Sequence, residues 1–210
     1  YIAHEMTPFS PKDVTVYSNC DEVRLTYLEN GKTWTYRKPK NQVGMPSPII
    51  TFKDVYNFMD DKARSWKKRQ SEVFLLAEGL INGEVVATHK VCPARRPSKV
   101  VLWLDNEGND LVADGSDFTT VVAGIADRDG NIKRLNNYYI KFHIEGEGRI
   151  LGGAGELANP APVKWGTAPI LVQSTLNPGK IRITASVLFE GEQMPISGVL
   201  EFESKPSAQK

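Results

Sequence analysis

Turn signals recur along this chain at intervals too short for helices of ordinary length. Asn30-Gly31, Asn82-Gly83, Glu107-Gly108, Asp114-Gly115, Asp129-Gly130, Pro178-Gly179 and Glu190-Gly191 are the clearest. Glycine adopts positive φ without steric cost, and Asn and Asp tolerate it, so such pairs favour tight reversals. Between them run stretches of about five to eight residues rich in Val, Ile, Thr, Phe and Tyr, which suit a pleated, half-buried surface. Short strands at regular spacing predict an all-β protein of sandwich or barrel type.

How the core is divided follows from length. The chain has 210 residues, enough for one large domain or two of about 100 residues. The heptapeptide Cys92-Pro93-Ala94-Arg95-Arg96-Pro97-Ser98 reads as a linker. Two prolines punctuate it and two arginines keep it wet. Placing the boundary near Pro97 gives two tandem immunoglobulin-like β-sandwich domains, 1–96 and 97–210. They share architecture without a repeat of residues.

In the first half, Val14-Thr15-Val16-Tyr17 and Val23-Arg24-Leu25-Thr26-Tyr27 alternate with period two, as strands with one buried face do. Trp34-Thr35-Tyr36 returns after Asn30-Gly31. Ile81-Asn82-Gly83 joins 73–80 to 84–91 in the sharpest hairpin, with Val85, Ala87 and His89 facing one way and Val86, Thr88 and Lys90 the other. One segment breaks the pattern. Val55, Met59, Ala63 and Trp66 are spaced four, four and three apart, which predicts a short amphipathic helix over 54–69 inside a loop insertion at about 38–70. Its basic second half is read as a solvated face, with a docking surface for a partner domain or acidic glycan as the alternative. In the second half, strands are expected at 100–104, 118–126, 139–144, 170–172, 181–185 and 199–202. Trp103 is expected in the core, and 146–155, with its five glycines, as an open loop.

Charge and ligand chemistry narrow the function. Twenty-six Lys and Arg against 25 Asp and Glu leave a net charge of +1, which provides no field for nucleic acid. No apolar run reaches the ~20 residues of a membrane span, so membrane insertion is not expected. The start, Tyr1-Ile2-Ala3-His4-Glu5, is neither an initiator methionine nor a signal sequence. The expectation is a piece of a longer polypeptide with its targeting signal upstream. Two cysteines outside any CxxC and three histidines make a zinc site unexpected. A Cys20–Cys92 disulfide is geometrically open, though two half-buried thiols are the expected state.

No catalytic constellation stands out, and no cofactor is expected. A glycosidase needs two carboxylates facing each other across a cleft. Here Asp105, Asp114, Asp127 and Asp129 lie where turns favour Asp. The run Asp105, Asn106, Glu107, Asn109, Asp110, Asp114 and Asp117 is oxygen-rich but lacks the fixed spacing of a calcium loop, so a solvated loop is expected and no metal site. Gly146 to Gly153 lacks the Gly-Lys-Ser/Thr ending of a phosphate loop. His89 and His143 read as sheet residues, and His4 has no evident partner. For binding, flat aromatic rings rimmed by polar groups stack on sugars. Trp34, Trp66, Trp165 and Tyr138, beside Tyr139, are the carbohydrate-contact candidates, with packing roles as the alternative.

The stretch Val16-Tyr17-Ser18-Asn19-Cys20-Asp21-Glu22-Val23-Arg24-Leu25 with Asn30-Gly31-Lys32 resembles a signature in the C-terminal region of glycoside hydrolase family 2 enzymes, the β-galactosidase-like group common in Bacteroidetes. Gly79-Leu80-Ile81-Asn82-Gly83-Glu84-Val85-Val86 is similar to the closing hairpin of the same domain. Ala113-Asp114-Gly115-Ser116-Asp117-Phe118-Thr119, Asp127-Arg128-Asp129-Gly130-Asn131, Ile144-Glu145-Gly146-Glu147-Gly148-Arg149 and Val172-Gln173-Ser174-Thr175 with Pro178-Gly179-Lys180 resemble the domain that follows. The family's catalytic glutamates belong to a (β/α)8 barrel that no segment here matches, so no catalytic residue carries over. The region 38–69 is longer than the family's usual loop.

The resemblance implies a non-catalytic accessory region of a periplasmic or extracellular β-galactosidase-like enzyme, active in carbohydrate metabolism. Its partner would be the catalytic barrel of the same polypeptide, which it packs against and supports. A carbohydrate-binding module, and spacer domains of a cell-surface adhesion protein, are the alternatives.

Overall fold

The computed structural model describes residues 1–27, 32–37, 49–59, 62, 73–151, 159–188 and 195–207. Its contacts divide the chain into Tyr1–Pro93 and Ala94–Lys210. The named elements are all strands, and Phe58, Met59 and Lys62 are helical.

The first unit pairs two antiparallel sheets. One holds β1 (Ile2–Ala3), β2 (Val14–Tyr17) and β5 (Ile49–Phe52), in that order; the other runs β4 (Lys32–Arg37), β3 (Glu22–Tyr27), β6 (Leu75–Ile81), β7 (Glu84–Val91). Alternation decides what they bury. Val14 and Val16 of β2, and Val23, Leu25 and Tyr27 of β3, all point inward. With Ile2, Ile50, Phe52, Leu75 and Ala77 they form one core. The insertion at 38–70 contributes β5; of the expected helix, Phe58, Met59 and Lys62 are the described residues in helical conformation, too few to establish the element. Residues 60, 61 and 63–69, where most of the expected helix falls, lie outside them, as does the Asn30-Gly31 turn.

Asn82 and Gly83 do take φ of 52° and 86°, the left-handed pair that a tight hairpin needs. The strict two-way alternation expected for β7 fails at its start. Gly79 pairs with Ala87 but Leu80 pairs with Val85, leaving Val86 as an extra residue. Val85 and Val86 are both exposed, like the rest of 84–88. Across the sheet, Cys20 is buried, and a Cβ on Gly79 would lie 2.6 Å from its Sγ.

The second unit holds two four-stranded sheets. The first runs β12 (Gly148–Leu151), β14 (Thr167–Ser174), β10 (Phe118–Ala126), β8 (Lys99–Asp105), and the second β13 (Ala161–Pro162), β11 (Tyr139–Gly146), β15 (Lys180–Leu188), β16 (Gly198–Glu203). Val121, Ala123, Ile125, Ile170 and Val172 of the first meet Ile140, Phe142, Ile181, Ile183, Ala185 and Val187 of the second. A parallel pair, β9 (Val112–Ala113) with β17 (Lys205–Pro206), lies beside them. The segment read as a linker is tied down from Arg95 onward. Arg95 N donates to Asp127 Oδ2 at 2.9 Å, and Ser98 N to the Ala126 carbonyl at 2.8 Å.

Two expectations are corrected here. Trp103 is not a core residue. Val100, Leu102 and Leu104 take the inward positions of β8, so Trp103 faces out, 37% exposed. Its ring rests where Gly124 has no side chain, since a Cβ there would lie 3.0 Å from Trp103 Cζ3. The glycine-rich 146–151 is also no open loop, because Gly148–Leu151 pairs with β14. Gly146, at φ 92°, makes the reversal, and a Cβ on it would sit 2.1 Å from the Lys180 carbonyl oxygen.

His4 has partners after all. It is buried; its Nδ1 accepts from Met6 N at 3.1 Å and its Nε2 donates to the Pro11 carbonyl at 2.9 Å. Tyr56 meets the ring edge-on. Both nitrogens are satisfied in the neutral ring, and burial lowers its pKa from the ordinary 6.5.

Two predictions follow from these contacts. Gly146→Ala destabilises the second unit by about 2 kcal/mol or more, because backbone cannot yield to a Cβ. Gly108→Ala is the control, with positive φ but open space around it, and costs about 1 kcal/mol. Urea unfolding of the two variants measures the difference. For His4 the unfolded chain binds the proton first, so its contribution to stability is complete above pH 6.5 and is lost as pH falls through the lower folded-state value. Unfolding midpoints of wild type and His4→Gln between pH 7 and 5 should converge on acidification.

Candidate functional site

The four aromatic candidates are not brought together. Trp34 lies on β4 opposite Leu25, with its side chain outside the described residues. Trp66 lies outside them altogether. Tyr138 is half-buried and packs against the core of the second unit. Trp165 alone of the described candidates is a free-standing ring, 63% exposed on the turn before β14 at φ 48°. Arg134 Nη1 donates to its carbonyl at 3.2 Å.

A concave feature forms instead at the end of the second unit, where β8 runs out and β10 begins. It is a cleft of about 250 Å³ lined by Asp105, Asn106, Asn109, Asp110, Leu111, Asp117 and Phe118 to Thr120. Its loop is shaped by side chains that close on their own backbone. Asn106 Oδ1 accepts from Gly108 N at 3.1 Å, and Asn106 Nδ2 and Asn109 Nδ2 donate to each other's carbonyls at 2.6 and 3.0 Å. Asp114 Oδ1 accepts from Asp117 N and Ser116 N at 2.7 and 2.8 Å. These bonds, that from Asp117 N above all, hold its carboxyl below the usual range. Asp117 bridges the loop to the strands, its two oxygens accepting from Val112 N at 2.7 Å and Phe118 N at 2.9 Å.

Phe118 opens β10 on the outward side and is 56% exposed. Thr119 points to the other side and is buried, its hydroxyl without a hydrogen-bond partner among the described residues. Sequence reasoning took Phe118 for an ordinary strand residue. The available signal was its position, an aromatic directly after an oxygen-rich loop.

Elsewhere the acids serve structure. Asp127 is fully buried and accepts from Arg95 N, Asp129 N and Asn131 N at 2.9 to 3.0 Å. Burial pushes its carboxyl up, but these bonds together outweigh burial and hold it below the usual value. Asp13 is also held low, chiefly by the bond from Lys53 Nζ at 2.7 Å. On the outer face of β11, β15 and β16, Arg182 bridges Glu145 and Glu201, and His143 lies 3.4 Å from Glu145. A general acid for glycoside cleavage needs a carboxyl raised toward neutrality. The carboxyls of Asp13, Asp114 and Asp127 are all moved the other way.

Folds of this class are tandem immunoglobulin-like sandwiches. Residues 102–188 match the model of the glycoside hydrolase family 2 C-terminal domain 5. A β-galactosidase of Thermoanaerobacter pseudethanolicus is 33% identical over 183 residues, which are 87% of this chain and 23% of that protein. β-Galactosidase BoGH2A of Bacteroides ovatus is 28% identical over 115 residues, 50% of this chain and 13% of that protein. A β-glycosidase from Bacteroides vulgatus shares the fold at a TM-score of 0.66 and 21% identity, over 97% of this chain and 24% of that one. The chain thus carries a glycoside hydrolase family 2 C-terminal domain, and spans about a quarter of the length of the first of these β-galactosidases.

Asp127→Ala leaves three backbone donors unpaired and is expected to cost about 3 kcal/mol. Asp127 adds stability in full above its unfolded pKa near 3.8 and loses it as pH falls through the lower folded value. Acid unfolding of Asp127→Asn, followed by circular dichroism, should therefore lack the wild-type loss of stability in that window.

Proposed function

We propose that this chain is a non-catalytic accessory region of a glycoside hydrolase family 2, β-galactosidase-like enzyme that packs on and supports the catalytic barrel of its own polypeptide. One observation carries the reading. The match to a β-galactosidase takes in 87% of this chain yet only 23% of that protein, so what the chain shares with an enzyme is a portion and not a whole. Rigid sandwiches suit support, because strands fix the core while loops at their ends vary freely. We propose also that the parent acts on carbohydrate in the periplasm or outside the cell, on the strength of the family resemblance.

The isolated chain is expected to show no hydrolysis of p-nitrophenyl β-D-galactopyranoside. Deleting it from the parent should lower the midpoint of thermal inactivation of galactosidase activity. Turnover by the chain itself that disappears on changing one of its own carboxylates, such as Asp110→Asn, would refute the reading.

A further inference from the structure

We propose that the outer face of the β12–β14–β10–β8 sheet is the surface by which the second unit seats on the catalytic domain of its own polypeptide. The inference rests on the accessory role proposed above and deepens it by naming the surface that makes the contact.

The two outer faces of this sandwich differ in chemistry. Alternation sends Trp103 of β8, Val122 of β10 and Pro169 of β14 outward in one cross-strand row, and Leu171 and Leu151 outward in the next. Trp103, Pro169 and Leu171 are exposed, the last by 40%. The outward charges of these strands, Lys99, Asp105 and Arg149, stand at the margins. Trp103 is also fixed in place. A Cβ on Gly124 would lie 3.0 Å from its Cζ3 and 2.7 Å from Ile132 Cδ1, so the indole is wedged against the sheet. A preorganised aromatic of this kind is a typical interface anchor, because little freedom is left to lose on docking. Across the sandwich, β11, β15 and β16 send Lys141, His143, Glu145, Arg182 and Glu201 outward, and Arg182 is ion-paired to both glutamates. That face is at home in water. The uncharged one, with Trp and Leu near its centre, gains by leaving it.

Size and covalent linkage select the occupant. Four strands about 4.8 Å apart, carrying three rows of side chains about 6.8 Å apart, give a face of roughly 400 Å². A stable complex of separate molecules needs about 800 Å² on each partner, which disfavours a second copy of this chain. A domain on the same polypeptide is held at an effective concentration in the millimolar range, and a face of this size then suffices. The β-galactosidase matched along 87% of this chain has 23% of its length in the match, which leaves about three quarters of such a polypeptide to supply the partner. The counter-surface is apolar at its centre, since Trp103 and Leu171 offer it no charge to pair with.

The test compares Leu171→Asp with Val199→Asp, which places the same charge on the opposite face at a valine 49% exposed. Both are made in the 210-residue chain and in the full-length polypeptide. In the chain alone the two variants should unfold in urea at like midpoints, because neither side chain belongs to the core. In the full-length polypeptide Leu171→Asp should raise the rate of thermal inactivation of galactosidase activity about tenfold, and Val199→Asp should change it less than about twofold. Hydroxyl-radical labelling of Trp103 should be lower in the full-length polypeptide than in the chain alone, and Leu171→Asp should restore it. The labelling comparison on unsubstituted protein decides the matter if Leu171→Asp does not fold. Equal inactivation rates for the two variants, or equal labelling of Trp103 in chain and full-length polypeptide, overturn the inference. Where deleting the whole region still destabilises the enzyme, the accessory role survives that result; where deletion has no effect, the accessory role fails and this inference with it. A dimer of the chain alone in sedimentation, dissolved by Leu171→Asp, assigns the face to a second copy and overturns the inference as well.

Discussion

A β-strand presents successive side chains to opposite sides, so each sheet of this protein has one face that can leave water and one that cannot. The rest of the structure depends on closing those apolar faces in pairs. In the second unit Ile181, Ile183, Ala185 and Val187 of β15 hold the centre of one face, and Val121, Ala123 and Ile125 of β10 hold the centre of the other. A register slip of one residue on either strand would send Arg182 or Thr120 inward, which is why the pairing is strongly specified. The first unit solves the same problem with a separate core. Loops then occupy the ends of the sandwiches, where backbone groups need local partners.

Those local partners explain what the acidic side chains do. Asp114, Asp117 and Asp127 each accept backbone N–H groups that their loops leave without a strand partner. For Asp114 and Asp127 such bonds hold the carboxyl below its usual range, away from proton transfer. The oxygen-rich run at 105–117 is therefore mixed in role. Asn106, Asp114 and Asp117 build the loop, whereas Asp105 and Asp110 are left facing the cleft beside Phe118. The distinction lies in which backbone amides each side chain can reach, and only the folded loop determines that.

Much of the architecture was legible because it rests on period two. The inward sets Val14 and Val16, Val23 and Leu25, and Ile140 and Phe142 follow directly from alternation, and Asn82-Gly83 marks its own turn through the φ angles it permits. What escaped reading depends on contacts between distant segments. Trp103 looks like core until Val100, Leu102 and Leu104 are seen to fill the inner face and Gly124 to leave room outside. His4 looked unpartnered because Pro11 and Tyr56 reach it only through the fold. Period two also says nothing about a register shift, so the extra residue Val86 was invisible. The cleft was the least legible feature, since its polar members were recognised as a run but not its aromatic wall.

That extra residue has a consequence for association between molecules. Among the described residues β7 is the last strand of its sheet, and an edge strand presents a line of backbone groups that another extended chain could join, the usual first step toward aggregation. A regular strand added from outside would have to match the spacing of those groups along the whole of β7. At Val86 the spacing is interrupted and the strand bends, so the added ladder would stop there. Among the described residues, then, the irregularity limits how far a regular ladder could extend along this edge, beside which Val85 and Val86 stand at the surface.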